Sequence, residues 1–327
     1  MTTRQPDELS ELSLPDLYDR FARTGLVYRL LELAREEEFG PGGAVTYGDI
    51  TSQTTTSPEE FVEARIRTRE ACRVGGLAAM PAVLQVFAPD ADYEPLAVDG
   101  EDAEAGATLA LVRGPARQVL GAERTLLNLL SRLCGIATRT RAFRDALDPD
   151  SNAGVYHTRK TSPGLRMLEV YAVRCGGGKL HRLGLHDAVL IKDNHLASSN
   201  HEDLAEALTR VLSVLDGSHL GARVRFIQVE ADTLAQFAEY LKVPSSLIDL
   251  VLLDNMTTEE LREAVRMRDE AGSAVVLEAS GGVSLETIGA ISQTGVERIS
   301  VGSLTHGAIS VDIGLDIERD ASEGSDA

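Results

Sequence analysis

From Val155 onward, short runs of consecutive apolar residues alternate with stretches in which apolar positions recur every three or four residues. The runs end near Arg159, Lys192, Glu230, Asp254, Ser280 and Gly302, and the helical patterns between them cover 164–175, 203–215, 233–241, 258–270 and 285–294. The last four run ends lie 24, 26 and 22 residues apart, the length of one strand-helix unit. Runs that are apolar throughout predict strands buried on both faces, and therefore a parallel sheet. Each predicted strand ends on a polar or small residue. In a (β/α) barrel such ends converge on one mouth, where active sites are built. Six strands fall short of eight, so the pattern predicts an incomplete α/β barrel.

The first half of the chain has a different grammar. Residues 1 to about 12 read as a loose tail, and apolar residues at Leu17, Phe21, Leu26, Leu30 and Leu31 predict one helix over 14–38, ended by Gly-Pro-Gly-Gly at 40–43. Alternation over 63–70 predicts a half-exposed strand. A buried helix over 77–87 takes Pro81 in its first turn. Further strands are expected over 93–98 and 108–113 on either side of the Asp99-Gly100 turn, and then a long helix over 115–147. Antiparallel strands mixed with helices predict a separate α+β layer. The acidic, small-residue end of the chain, from Glu318, reads as disordered.

With 327 residues the chain is long enough for a large core, and 43% hydrophobic with 25% charged residues is an ordinary globular balance. Its 51 acids against 32 bases disfavour nucleic acid or an anionic membrane surface as partner. Cys72, Cys134 and Cys175 are odd in number and fit no C-x-x-C pattern, so neither a disulfide framework nor a zinc site is indicated. A polar N-terminus and the lack of a long apolar run predict a cytoplasmic, reduced protein.

One stretch runs against the acidic background. From His157 to His195 there are seven Lys or Arg against three acids, and four of the seven histidines. Arg159, Lys160, Arg182 and Lys192, with His181, would supply the mouth with cations suited to carboxylates or phosphates. Glu230 and Asp254, at neighbouring strand ends, could hold Mg²⁺ or accept hydrogen bonds from sugar hydroxyls. Ser280-Gly281-Gly282 and Gly302-Ser303 follow late strands, where barrels commonly bind a phosphate. Gly176-Gly177-Gly178 reads either as another cradle or as a helix stop. This inventory describes a phosphosugar with an anionic co-substrate, which fits phosphoribosyl transfer or a phosphosugar aldolase or decarboxylase.

The motifs T-R-K-T-S-P-G-L-R, Y-A-V-R-C-G-G-G, H-R-L-G-L, L-I-K-D-N-H, L-L-D-N-M, E-A-S-G-G and I-S-V-G-S-L-T-H, in that order, resemble the quinolinate phosphoribosyltransferases. The similarity runs from about Gly48 to Asp316. It implies an N-terminal α/β sandwich domain over 1–133, completed by 305–327, and an open barrel over 134–304 carrying the active site. It implies a homodimer in which Arg124 is donated across the interface. By motif match, Thr158, Arg159, Lys160, His181, Arg182 and Lys192 would bind carboxylates and phosphates. Glu230 and Asp254 would serve the ribose and Mg²⁺, with Lys160, Glu230 and Asp254 catalytic; Ser280, Gly281, Gly282, Gly302 and Ser303 would hold the 5-phosphate.

The implied reaction joins quinolinate to phosphoribosyl pyrophosphate, giving nicotinate mononucleotide, CO₂ and pyrophosphate in NAD biosynthesis. Three residues depart from the family pattern: His157 stands for a usual Asp, Leu180 for Asn and Gln228 for Glu. They are read as drift beneath the site, the alternative being a paralogue of the molybdenum-transport-associated type acting on another heteroaromatic carboxylate. A barrel aldolase using a Lys160 or Lys192 imine is the reading from another class, separable by borohydride trapping.

Overall fold

A computed structural model describes residues 4–40, 48–192, 195 and 204–318, so residues 41–43 of the glycine-rich break and the acidic tail beyond 318 lie outside the described residues. The strands, in chain order, are β1 (Phe61–Thr68), β2 (Cys72–Arg73), β3 (Asp92–Pro95), β4 (Asp102–Ala103), β5 (Thr108–Pro115), β6 (Gly154–Tyr156), β7 (Val189–Ile191), β8 (Ile227–Ala231), β9 (Leu250–Asp254), β10 (Val276–Ser280), β11 (Arg298–Ser300) and β12 (Ile313–Glu318). The chain divides into two compact units. One comprises residues 13–141, 161–177 and 307–327, the other 1–12, 142–160 and 178–306.

The first unit is a sheet-and-helix layer. Its four-stranded sheet has the order β12-β1-β5-β3, with β1 antiparallel to both neighbours. Val62, Ala64, Ile66 and Thr68 alternate inward along β1, as a sheet with one wet face requires. The C-terminal strand completes this sheet, pairing Thr68 with Ile313 through Glu63 with Glu318. The single helix expected over 14–38 is two, Leu14–Ala22 and Leu26–Phe39, separated at Gly25 with φ +71. Both halves bury apolar residues at helical spacing, so periodicity alone passes over the break. The strand expected over 93–98 stops at Pro95, which has no N–H to donate and sits on the edge strand.

The second unit is the barrel. Its six strands are all parallel, in the order β6-β11-β10-β9-β8-β7, and among the described residues the edges β6 and β7 do not pair with each other. β8 is buried at every position, including Gln228 and Glu230, as a strand covered on both faces requires. Helices Leu234–Tyr240 and Thr258–Glu270 start on capping boxes, Thr233 with Gln236 and Thr257 with Glu260, which satisfy first-turn N–H groups and keep the loops after β8 and β9 short.

The division differs from the sequence expectation in three places. The compact units divide at 141/142, inside the helix Ala116–Asp145 where no Gly or Pro marks it, whereas the domain boundary read from the sequence is 133/134. The helix after β6, Arg166–Cys175, belongs to the sheet-and-helix unit; it stops at its C-cap Gly176, where a Cβ would lie 2.5 Å from the Thr140 Cβ, and Gly177 follows at φ +83. Residues 4–12 are no loose tail. Leu9 is 2% exposed, and Arg4 donates to Asp249 (2.7 Å), Asp216 (3.0 Å) and the Ser246 carbonyl (2.7 Å). The polarity of this segment serves side-chain pairing rather than hydration.

Candidate active site

Side-chain alternation along parallel strands builds the site. In β8 Gln228 and Glu230 share a face, in β9 Leu252 and Asp254, in β10 Glu278 and Ser280, in β11 Arg298 and Ser300. Register sets Glu230 beside Leu252, Glu278 beside Leu252, and Ser280 beside Asp254. The strands' C-terminal ends together enclose a cavity of about 610 Å³, lined by residues of β7 to β11 and by His157 to Lys160 just past β6. One curled sheet therefore gathers side chains more than a hundred residues apart.

Thirteen of the fourteen residues expected at the site line this cavity: Thr158, Arg159, Lys160, His181, Arg182, Lys192, Glu230, Asp254, Ser280, Gly281, Gly282, Gly302 and Ser303. Arg124 does not. It lies in the sheet-and-helix unit, exposed on the helix Ala116–Asp145, and its side chain makes no hydrogen bond or ion pair among the described residues. The cationic island also divides: Arg166 and Arg174 belong to the first unit, and Lys179 lines a separate cavity at the strands' N-terminal ends.

The cavity's charges are unequally matched. Lys192 Nζ donates to Glu230 Oε2, whereas the side chains of Arg159, Lys160 and Arg182 make no hydrogen bond or ion pair among the described residues. Arg182 is 9% exposed, and burial first, then the nearby Arg159, pushes its guanidinium below the ordinary arginine range. Asp187 and Glu230 act on it in the opposite sense without forming an ion pair with it among the described residues, so two neighbouring cations keep donors available for an anion. Gly281 and Gly302 are needed for space: a Cβ at Gly281, where φ is +91, would lie 2.1 Å from Asn255 Oδ1, and one at Gly302 would lie 2.8 Å from Lys160 Cδ.

Glu230, Asp232 and Asp254 each offer one carboxylate oxygen, and these atoms lie within 4.8 Å of one another. An all-oxygen donor set of this kind suits Mg²⁺. Sequence reasoning named Glu230 and Asp254 but missed Asp232, two residues past Glu230 and legible only once the strand end is fixed. It also passed over Glu278 and His306, which line the cavity and lie within the motifs E-A-S-G-G and I-S-V-G-S-L-T-H.

Under the cations is a buried polar layer. His181 Nδ1 accepts the Arg182 backbone N–H (2.7 Å), which leaves the proton on Nε2, 2.8 Å from Gln228 Oε1. Glu278 is wholly buried; burial pushes its carboxyl up, but His181 and Arg298 together outweigh this and hold it at about 2. All three residues that depart from the family pattern, His157, Leu180 and Gln228, are completely buried.

His157 donates from Nδ1 to the Thr158 carbonyl (2.9 Å), and burial lowers its pKa from 6.5 to about 4. Between those values the unfolded chain binds a proton that the folded chain does not, so this residue costs stability as pH falls from about 6.5 towards 4, by roughly 3 kcal/mol in all. A His157→Gln variant is expected to lose less melting temperature between pH 7 and pH 4.5 than the parent. An equal loss in both would mean that His157 is protonated alike in the folded and unfolded chain.

The model of the quinolinate phosphoribosyl transferase C-terminal domain matches residues 136–316, and that of the N-terminal domain matches residues 49–134. The chain belongs to the quinolinate phosphoribosyltransferase family. As a family member it is 41% identical over 275 residues to the nicotinate-nucleotide pyrophosphorylase [carboxylating] of Mycobacterium leprae, covering 83% of this chain and 92% of that protein. It is 36% identical over 303 residues to quinolinate phosphoribosyltransferase [decarboxylating] 1b of Nicotiana tabacum, covering 89% and 82%. The crystal structure of nicotinate-nucleotide pyrophosphorylase from Ehrlichia chaffeensis superposes with a TM-score of 0.77 at 35% identity, covering 89% of this phosphoribosyltransferase-family chain and 98% of that one. Among the described residues, no helix is long and apolar enough to cross a membrane.

Proposed function

We propose that this chain is a decarboxylating quinolinate phosphoribosyltransferase, a pentosyltransferase of NAD biosynthesis that joins quinolinate to phosphoribosyl pyrophosphate and releases CO₂ and pyrophosphate. The observation that carries the reading is the set of cations Arg159, Lys160 and Arg182, without acid partners among the described residues, sharing one cavity with Glu230 and Asp254. A pyridine with two adjacent carboxylates is a compact dianion, and paired arginine forks can grip both carboxylates in the ring plane. Lys160 and Lys192 offset charge on the phosphates. Ser280 to Gly282 with Gly302 and Ser303 receive the 5-phosphate. Three unpaired, buried cysteines suit a reducing compartment, and we assign the enzyme to the cytoplasm.

Glu230 and Asp254 face the ribose, where positive charge develops at the anomeric carbon as pyrophosphate departs and the pyridine nitrogen attacks. With both partners held in line, the step becomes effectively intramolecular. The resulting quaternary ring accepts the electron pair left when the C–CO₂ bond breaks, and that carbon then takes a proton. Mg²⁺ held by Glu230, Asp232 and Asp254 would offset charge on the pyrophosphate.

Two measurements test this. Incubation with quinolinate, phosphoribosyl pyrophosphate and Mg²⁺ is expected to give nicotinate mononucleotide; no product would overturn the assignment. Chelation of divalent ions is expected to abolish turnover and Mg²⁺ to restore it; undiminished turnover in chelator would rule out the metal role. Arg124 we assign to the site of a neighbouring subunit in a homodimer, because it is an exposed cation whose side chain makes no hydrogen bond or ion pair among the described residues.

A further inference from the structure

Residues 4–12 pass the N-terminal ends of the barrel strands and help line a cavity of about 490 Å³ there, with Leu250 and Val276 at its strand starts. Two hydrogen-bonded tethers and one line of buried polar groups run from this segment towards the turn at 180–182, whose Arg182 lines the active-site cavity. Ser10 Oγ accepts the Leu180 N–H at 2.8 Å. Arg225 bridges two carbonyls, donating from Nη1 to Pro6 O (3.0 Å) and from Nη2 to His181 O (2.9 Å). The line of polar groups crosses the barrel interior and stops short of a hydrogen bond to His181, because among the described residues Glu278 Oε1 has no hydrogen-bond partner and the His181 Nε2–H goes to Gln228. Asp7 Oδ1 accepts from Arg298 Nη1 (3.3 Å), Arg298 Nε donates to Glu278 Oε2 (3.0 Å), and Glu278 Oε1 lies 3.3 Å from His181 Nε2.

The inner members of that chain are shielded from water: Arg298 is 2% exposed, Glu278 0% and His181 6%. Charges in such surroundings are weakly screened, so moving one moves its neighbours. Among the described residues the Arg182 side chain makes no hydrogen bond or ion pair, so its place rests on how its backbone is held. His181 Nδ1, accepting the Arg182 N–H, supplies that fixation from the tethered side.

We infer that the N-terminal segment is a strut for the acid-substrate subsite, with Ser10 and Asp7 as positioning residues that act on Arg182 through Leu180 and His181. The inference rests on the proposed function for its kinetic readout. Replacing Ser10→Ala and Asp7→Asn together is expected to raise the quinolinate KM roughly tenfold, with kcat and the phosphoribosyl pyrophosphate KM within about twofold of the parent. Asp7→Glu in place of Asp7→Asn is expected to recover part of the loss. A merely structural role would lower kcat with the folded fraction and leave both KM values unchanged, and that result would overturn the strut.

If the double variant does not fold, Ser10→Ala alone carries the same comparison. A second readout needs no turnover: with ¹⁵N-labelled histidine, the His181 ring resonances are expected to move in the variants relative to the parent. Unmoved resonances overturn the strut even where quinolinate is turned over. A parent that makes no nicotinate mononucleotide overturns the functional reading alone, and the ring resonances then decide the strut.

Discussion

Lys160→Ala is expected to lower kcat/KM for phosphoribosyl transfer by about a thousandfold or more, while the melting temperature stays within a few degrees of the parent. The residue is exposed at the cavity and carries no ion pair among the described residues, so its loss removes charge from the site without opening the core. Its backbone is fixed on both sides: Lys160 N–H donates to Thr158 Oγ1 (3.1 Å), and Thr305 Oγ1 donates to the Lys160 carbonyl (2.6 Å). The side chain passes Gly302 so closely that a methyl there would collide with it. A compact ammonium fits this passage and a planar guanidinium does not, so Lys160→Arg is expected to rescue little. Steady-state kinetics beside thermal unfolding checks both variants. An active Lys160→Ala enzyme would remove this lysine from the chemistry.

Arg124→Ala is expected to be as damaging, for a different reason. The residue lies outside the cavity lining and in the other compact unit of its own chain, and yet it is an exposed arginine with no acid partner among the described residues. If it completes a neighbour's site, then a dimer of one Arg124→Ala and one Lys160→Ala subunit contains one damaged site and one intact site. Random mixing of the two inactive proteins would then recover about a quarter of the parent's activity, because half of the dimers are mixed and each has one working site of two. Recovery in confirmed dimers supports the shared site. Inactive mixtures would confine the damage to the subunit carrying it.

How much was legible in the sequence follows from which interactions are local. The six barrel strands and their helices could be read from periodicity, since burial on both faces writes itself into each run independently. The ends of those runs, Lys192, Glu230, Asp254 and Ser280, mark the cavity in the sequence, because parallel strands of one curled sheet bring their C-terminal ends to one side. What could not be read depended on distant partners. The tail at 4–12 is polar because Asp7 meets Arg298 and Arg4 meets Asp249, contacts spanning more than two hundred residues. Gly25 breaks a helix whose apolar stripe runs on undisturbed. Asp232 joins the acids only through the turn after β8, and the boundary at 141/142 lies in an unbroken helix with nothing in its composition to mark it.

The sharpest measurement uses quinolinate labelled with ¹³C in the carboxyl next to the ring nitrogen, supplied with phosphoribosyl pyrophosphate and Mg²⁺. One labelled CO₂ and one pyrophosphate are expected for each nicotinate mononucleotide formed, with nicotinate itself, lacking the second carboxylate, a far poorer substrate. Nucleotide formed as readily from nicotinate, or without labelled CO₂, would contradict the claim that Arg159 and Arg182 grip a dicarboxylate.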